Sequence, residues 1–242
     1  MHNFFTIIIP SYNVEKWTHK TINSALEQKY QNYEIIYIDD ASTDNTYSVA
    51  LNLLTNTKHK LIRNSFNRGK MWNVIKAVEL SKDKSIIVIL DGDDWLAHEN
   101  VLNKLNDVYD ESVWMTAGSY IETETDRIVS PRVDENYWNG NLRKKSWQTS
   151  HLGTFRKELF LKIKKKDFVD KQTSYFSATS DQAFMWPMLE MAHKEHFKCV
   201  ADVLYVYNRD NPLADDKVNR TEQLQTEMYI RNLAPYEKLK LL

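Results

Sequence analysis

Short apolar runs alternate with stretches of helical periodicity along the first part of the chain. The run FFTIIIP, residues 4–10, is continuously apolar and ends at a proline, which is typical of a strand buried on both faces. The residues that follow it carry apolar side chains at the spacing of a helix. The predicted strands are 4–10, 33–39, 59–63 and 85–90, and the predicted helices are 14–28, a helix through 49–54, and 70–80.

The second half of the chain is less regular. A helix containing Val101 precedes a predicted strand at 112–122, and a polar, loop-rich segment follows. Beyond it we predict a helix at 181–192, a strand at 203–207 and a terminal helix at 221–242. Because strands that alternate with helices build a parallel sheet covered on both faces, we predict an α/β fold, a Rossmann-like α/β/α sandwich with a mostly parallel central sheet. We expect one domain over 1–220 and a C-terminal helical extension over 221–242.

Charge and composition exclude several classes of protein. The chain has 242 residues, and its 32 Lys plus Arg against 33 Asp plus Glu give a net charge of -1. Nucleic-acid-binding surfaces need clustered basic side chains, so we expect no nucleic-acid partner. The longest apolar runs fall far short of the roughly 20 residues that cross a bilayer. With no signal-peptide pattern and a single cysteine, Cys199, the sequence predicts a cytoplasmic protein without a membrane span.

Polar residues follow four of the predicted strands at the point where each strand ends. In open parallel sheets, ligands bind at the carboxyl ends of the strands. Asp, Asn and Ser at such positions also form turns and helix caps, so each segment alone is open to both interpretations. The four segments are 10–13, 39–44, 67–70 and 91–94.

Three carboxylates, Asp91, Asp93 and Asp94, lie within the last of these segments. Like charges this close are unfavourable unless a cation compensates them, and a hard divalent ion that shares phosphate oxygens would do so. An EF-hand loop is excluded because Leu102 stands where a bidentate Glu is required. The residues around Gly69 lack the spacing of a Walker loop, and no dinucleotide-binding glycine pattern follows the first strand.

The segments IIIPSYNVEKW, YIDDASTDNT, NRGK and ILDGDDW occur in this order and at this spacing. As a set they resemble the nucleotide-sugar-dependent family-2 glycosyltransferases with the GT-A fold. The resemblance is strong over residues 4–110 and thinner to about residue 210. It implies an inverting glycosyltransferase with a nucleotide-binding half at 1–110 and an acceptor half at 111–220.

The resemblance also implies a donor site. Tyr12 would offer its ring to a pyrimidine and Asp40 would accept the N3 hydrogen of uracil, which indicates a UDP-linked donor. Mn or Mg, bound by Asp93 and Asp91, would bridge the two phosphates. Glu15 is equally explained as a favourable charge at a helix N-terminus. The implied nucleotide-binding residues are Pro10, Tyr12, Asn13, Glu15, Asp40, Asn67, Lys70, Asp91, Gly92 and Asp93.

A general base is expected late in the domain. The segment ATSDQAFMWPML is similar to the part of the family that carries this base, which assigns Asp181 to deprotonation of the acceptor hydroxyl. The alternative for Asp181 is an N-cap of the helix that follows it. The acceptor-binding residues that the resemblance implies are His151, Thr154 and Trp186.

This chain departs from the family pattern at two places. Val74 stands where many relatives have an Arg that contacts the pyrophosphate, and either Lys70 or Arg68 would substitute for it. Asn208 stands where some relatives have a His near the metal.

Together these features predict a metal-dependent inverting glycosyltransferase whose partners are a nucleotide-sugar donor and a glycan-type acceptor. The acceptor hydroxyl would belong to a glycan, a lipid-linked glycan or a protein. Two alternatives stay open: a GT-A-like binding module that has lost turnover, and a nucleotidyltransferase that uses the same aspartates. The C-terminal helix would pack on the domain, contact a second copy in an oligomer, or join a further domain.

Overall fold

Four parallel strands and three helices form the N-terminal half of the protein. A computed structural model describes residues 2–170, 174–212 and 215–242. The strands lie in the order β3-β2-β1-β4, so the chain starts in the middle of the sheet and extends it to both sides. The elements are β1 (Phe5–Ser11), α1 (Glu15–Leu26), β2 (Tyr33–Asp39), α2 (Thr46–Leu54), β3 (Lys60–Arg63), α3 (Lys70–Leu80) and β4 (Ile86–Ile89).

The C-terminal half extends the same sheet with mixed pairing. Strand β8 runs antiparallel to β4 and to β6, and β9 runs parallel to β6. The elements are β5 (Trp95–Leu96), α4 (Val101–Val108), β6 (Met115–Glu122), β7 (Ile128–Val129), β8 (Gly153–Arg156), α5 (Lys157–Phe160), α6 (Ser180–Ala192), β9 (Phe197–Tyr207), α7 (Asp215–Val218) and α8 (Arg220–Arg231). Short 3-10 turns occur at Glu135–Trp138, Leu142–Lys144 and Lys165–Phe168.

The core lies on both faces of the sheet. Side chains alternate between the faces of a strand, so Ile8 belongs to one apolar cluster while Ile7 and Ile9 belong to the other. The cluster around Ile8 includes α3 and α6, and the opposite cluster includes α1, α2 and α4. The prediction of an α/β sandwich around a mostly parallel sheet is confirmed. None of the helices in the described ranges is long and apolar enough to cross a lipid bilayer.

The C-terminal helix is shorter than predicted. Helix α8 ends at Arg231, because Pro235 has no N–H to continue a helix and restricts the residue before it. The prediction of a helix over 221–242 is therefore wrong beyond Arg231. The residues after α8 pack on the domain, where the N–H of Leu239 donates to the carbonyl of Met191 at 2.9 Å. Packing on the domain was one of the three expectations for this segment.

Candidate active site

A cavity of about 570 Å³ opens at the carboxyl ends of β1, β2 and β4. The loops after these strands line it together with the first turns of α3 and α6, as the strand order predicts. Most of the residues predicted to form the site therefore meet in one place. Those that line the cavity are Pro10, Tyr12, Asn13, Asp40, Asn67, Lys70, Asp91, Gly92, Asp93, His151 and Asp181.

Asp40 organises the loop that leads into α3. Its carboxylate accepts hydrogen bonds from the backbone N–H groups of Arg68 and Gly69, both at 2.8 Å, and from the Asn64 side chain at 2.7 Å. Gly69 has a φ of 85°, a conformation that glycine adopts without strain, and it starts the helix at Lys70. A carboxylate offers about four acceptor positions, so Asp40 keeps one for a further N–H donor.

Gly92 allows the loops after β1 and β4 to touch. A Cβ at this position would lie 2.2 Å from Ser11 Oγ and 3.0 Å from the carbonyl oxygen of Pro10. The carbonyl of Gly92 also accepts a hydrogen bond from the Thr21 hydroxyl of α1 at 3.0 Å. Any larger residue would therefore push apart the two loops that carry Tyr12 and Asp93.

Lys70 lines the cavity and forms an ion pair with an aspartate. Its Nζ lies 2.6 Å from Asp91 Oδ1. Burial is the largest single effect on the pKa of Asp91 and raises it, but the charge of Lys70, the nearby His151 and the hydrogen bond from Lys70 together outweigh burial, so this pKa is lowered. Arg68, the other candidate for the pyrophosphate contact, stacks over Phe66 at 3.6 Å from the ring centroid. Of the two candidates, Lys70 therefore lies at the site.

Asp93 and Asp94 have different surroundings. Asp94 is 1% exposed, and its two oxygens accept hydrogen bonds from the Tyr205 hydroxyl at 2.5 Å and from the Asn208 N–H at 2.7 Å. Asp93 lines the cavity and accepts one hydrogen bond on Oδ2, from the Asn211 amide at 2.7 Å. Burial raises the pKa of both carboxyls. Both residues line the cavity, but these bonds engage both oxygens of Asp94, whereas the bond from Asn211 engages only Oδ2 of Asp93.

His151 lies beside Asp91 in a stack of aromatic rings. Its imidazole is nearly parallel to the ring of Tyr205, with centroids 4.7 Å apart, and to the ring of Tyr207, at 5.3 Å. Burial lowers the pKa of His151 to about 4, although the Asp91 carboxylate acts in the opposite direction. The ring is therefore neutral at pH 7 and can both donate and accept a hydrogen bond.

Asp181 faces the same cavity from the first turn of α6. The N-cap of this helix is Thr179, whose φ of 58° lies in the left-handed region. The alternative role of Asp181 as the N-cap is therefore wrong. Burial raises the pKa of Asp181, and the charge of Lys70 only partly offsets this increase. Asp181 is thus a carboxylate with increased basicity next to the predicted leaving-group site.

Glu15 does not line the cavity. Its two carboxylate oxygens accept hydrogen bonds from the backbone N–H and the side-chain amide of Asn45, at 3.0 and 2.9 Å. These bonds hold the start of α1 against the N-cap of α2. The alternative explanation of Glu15, a favourable charge at a helix N-terminus, accounts for its position. The predicted contact of Glu15 with the nucleotide is therefore corrected.

Two predicted acceptor-binding residues lie in the core. Thr154 is fully buried and hydrogen-bonds the hydroxyls of Tyr109 at 2.8 Å and Thr116 at 2.6 Å. Trp186 is fully buried, and its indole N–H donates to Gln182 within the same helix at 3.3 Å. Neither residue reaches the cavity, so the prediction that they contact the acceptor is corrected.

The sequence model of Glycosyl transferase family 2 matches residues 6–185. The match covers well over half of the chain and every strand and helix that builds the cavity up to α6. The chain belongs to glycosyltransferase family 2.

Named relatives of this family 2 chain are also glycosyltransferases. WfaP of Escherichia coli, a UDP-Glc:alpha-D-GlcNAc-diphosphoundecaprenol beta-1,3-glucosyltransferase, is 31% identical over 125 residues, 52% of this chain and 49% of WfaP. Glycosyltransferase GlyG of Streptococcus pneumoniae is 26% identical over 223 residues, 86% of this chain and 72% of GlyG. The chain spans about half the length of WfaP and of an uncharacterized glycosyltransferase of Haemophilus influenzae, which is 35% identical over 117 residues.

Solved structures have the same fold. Mannosyltransferase PcManGT from Pyrobaculum calidifontis, in complex with GDP-Man and Mn2+, has a TM-score of 0.66 at 18% identity, covering 98% of this chain and 66% of that chain. TarS 1-349 of S. aureus, in complex with UDP-GlcNAc, has a TM-score of 0.65 at 17% identity, covering 96% of this chain and 68% of that chain. These similarities show the GT-A fold for this family 2 chain.

The residues of this family 2 cavity fit a divalent cation that arrives with a diphosphate. Among the described residues, no group of three or more His, Cys, Asp or Glu side chains is placed to hold a metal ion. Mg²⁺ is usually bound by one or two carboxylates together with water and phosphate oxygens, and Asp93 and Asp91 supply such a pair. Burial and the charge of Asp91 raise the pKa of Asp93, which is the expected state of a carboxylate that a cation would stabilise.

Several cavity residues were missed by sequence reasoning. Asn211 follows β9 at the same edge of the sheet, so the rule that found the other loops could have found it. Asn219 and Gln223 reach the cavity from α8 and the residue before it, and no local signal marks them. The Thr179 hydroxyl donates to the carbonyl of Gln223 at 3.1 Å, so the start of α8 lies beside the turn that carries Asp181.

Proposed function

We propose that this protein is a metal-dependent inverting glycosyltransferase that moves a sugar from a UDP-sugar to an acceptor hydroxyl. The observation that supports it best is that one cavity is lined by all the residues for which we propose base reading, phosphate contact, metal binding and general-base catalysis. These residues are Asp40, Lys70, Asp91, Asp93 and Asp181.

The uracil base would bind between Tyr12 and Asp40. The Tyr12 side chain is 47% exposed, so its ring can stack on a pyrimidine without moving core residues. Asp40 has one acceptor position left after its three hydrogen bonds to the α3 loop, and the N3 hydrogen of uracil matches it. The name of WfaP specifies UDP-Glc, and TarS 1-349 was solved with UDP-GlcNAc, which supports this choice of base.

The diphosphate would lie between Lys70 and the aspartates of the β4 loop. The Lys70 ammonium lies 2.6 Å from Asp91 and can turn toward phosphate oxygens with little movement. When bound, Mn²⁺ or Mg²⁺ held by Asp93 and Asp91 would supply positive charge to the leaving UDP. Lys70 adds to that charge as UDP departs.

Asp181 would remove the proton from the acceptor hydroxyl. The hydroxyl oxygen attacks the anomeric carbon from the face opposite the diphosphate, forming the new C–O bond as the bond from that carbon to the phosphate oxygen breaks. One such displacement inverts the anomeric configuration. Because burial raises the pKa of Asp181, its ionised form is a stronger base than an exposed aspartate.

The acceptor would bind along the wall of the cavity that the residues before α6 and the start of α8 form. This wall carries neutral polar groups from Ser177, Thr179, Asn219 and Gln223. Such groups exchange hydrogen bonds with sugar hydroxyls, so we propose a saccharide hydroxyl as the acceptor, free or carried by a lipid or a protein.

Calorimetric titration with UDP, GDP, CDP and ADP, with and without Mn²⁺, tests the proposal without knowledge of the acceptor. We expect UDP to bind most tightly and Mn²⁺ to strengthen its binding. Asp93→Asn should remove the effect of Mn²⁺, whereas Asp126→Asn, which changes an exposed aspartate, should keep it. The same Mn²⁺ effect in Asp93→Asn and in the unmodified protein would refute the metal assignment, and equal affinity for all four nucleotides would refute the choice of UDP.

A further inference from the structure

The loop after β4 and the loop after β9 are joined by hydrogen bonds at the edge of the cavity. The Asn208 N–H donates to Asp94 Oδ1 at 2.7 Å, and its side-chain amide donates to the carbonyl of Asp93 at 3.0 Å. The Asn211 amide donates to Asp93 Oδ2 at 2.7 Å. Two asparagines of the β9 loop thus hold both the backbone and the side chain of Asp93.

The contact between Asn211 and Asp93 is partly shielded from water. Asn211 is 5% exposed and lines the cavity beside Asp93. A hydrogen bond to a buried carboxylate is stronger than one at the surface, because water competes for it less. The bond to Oδ2 fixes the rotation of the Asp93 carboxylate and determines that Oδ1 is the oxygen presented for another ligand.

Asp91 and Asp93 have partners of different charge. Asp91 is paired with the ammonium of Lys70, which occupies the position of a cation beside that carboxylate. Asp93 is held by a neutral amide, which orients a carboxylate without cancelling its charge. A divalent ion would therefore compete with the Lys70 ammonium for Asp91. The neutral amide of Asn211 does not compete with it for the charge of Asp93.

From these contacts we infer that Asn211 is a positioning residue for Asp93 and so determines how tightly the site holds a divalent cation. The inference rests on the proposed function, because it requires that Asp93 binds a metal. Partners that orient a ligand in this way change metal affinity about 10- to 100-fold when they are replaced.

The test measures Mn²⁺ binding by electron paramagnetic resonance of free Mn²⁺ in the presence of saturating UDP. A titration without protein is the reference, because UDP itself binds Mn²⁺. We expect Asn211→Ala to weaken Mn²⁺ binding about 10- to 100-fold. UDP binding without metal should stay within about twofold, since the base pocket and Lys70 are unchanged. Asn211→Leu keeps the side-chain volume without the donor and should behave in the same way. Asn139→Ala, at an exposed position, is the matched control and should bind Mn²⁺ as the unmodified protein does.

Each other outcome overturns the inference in a recognisable way. If both folded Asn211 variants bind Mn²⁺ within about twofold of the unmodified protein, Asn211 does not position Asp93. If metal-free UDP binding falls as much as Mn²⁺ binding, Asn211 supports the cavity in general. If the unmodified protein binds UDP but Mn²⁺ has no effect, the metal dependence of the proposed function fails and the inference fails with it.

Discussion

Replacing Glu190 with alanine removes one partner of a buried ion pair that ties the C-terminal segment to α6. Glu190 lies on α6 and binds Arg143 through two bonds, Nε to Oε1 at 2.7 Å and Nη2 to Oε2 at 2.9 Å. The two side chains are 4% and 1% exposed. Glu190 also accepts the Tyr236 N–H at 2.9 Å, and Arg143 donates to the carbonyl of Ile230 at 2.9 Å.

The size of the effect follows from this burial. In Glu190→Ala, the charge of Arg143 stays in the interior without its partner, and such a loss costs about 3–5 kcal/mol. For a chain of this length, each kcal/mol shifts the melting temperature by about 2–4 °C, so we expect a decrease of roughly 6–20 °C. The Tyr236 N–H also loses its acceptor, which adds to the loss.

Thermal unfolding followed by circular dichroism measures this change, and Glu227→Ala is the matched control. Glu227 pairs with Arg231 within α8, but the two side chains are 26% and 22% exposed, so its loss should cost at most about 1 kcal/mol. If Glu190→Ala lowers the melting temperature no more than Glu227→Ala does, the buried pair does not anchor the C-terminal segment and the reasoning is wrong.

Three further changes test the cavity. Gly92→Ala places a Cβ 2.2 Å from Ser11 Oγ, so thermal unfolding should show a loss of about 1–3 kcal/mol and calorimetry should show weaker UDP binding. Lys70→Met should weaken metal-free UDP binding about tenfold, because the phosphates lose a positive charge. It should strengthen the binding of Mn²⁺ alone, because no ammonium then competes for Asp91. Calorimetry measures both affinities, and a decrease in both would contradict the proposed role of Lys70. Asp181→Asn should reduce transfer about 10²- to 10⁴-fold. Because burial raises the pKa of Asp181, its ionised carboxylate destabilises the folded state at neutral pH. Asp181→Asn should therefore melt at a higher temperature than the unmodified protein at pH 7. This gain should vanish below the pKa of an exposed aspartate, where Asp181 is protonated in both the folded and the unfolded state.

Much of the site could be predicted because the topology of a parallel sheet gathers the residues that follow its strands. Asp40 follows β2 directly, and Asp91 and Asp93 lie in the loop just after β4, so the clear apolar runs of these two strands locate all three residues. Strand β5 was missed because two residues carry no periodic signal. The contacts of Asn219 and Gln223 were missed because they depend on where α8 packs, which no local pattern specifies.

The errors at Thr154 and Trp186 have a different cause, which is the direction of a side chain within a correctly located element. Asp181 and Trp186 belong to the same helix, but five residues at about 100° each place them some 140° apart around its axis. One side chain therefore faces the cavity while the other enters the core. In the same way, Thr154 lies three residues after His151 yet turns into the core, where it hydrogen-bonds Tyr109. A motif thus locates the segment that builds a site, but the packing on the other side of that segment decides which of its residues reach the ligand.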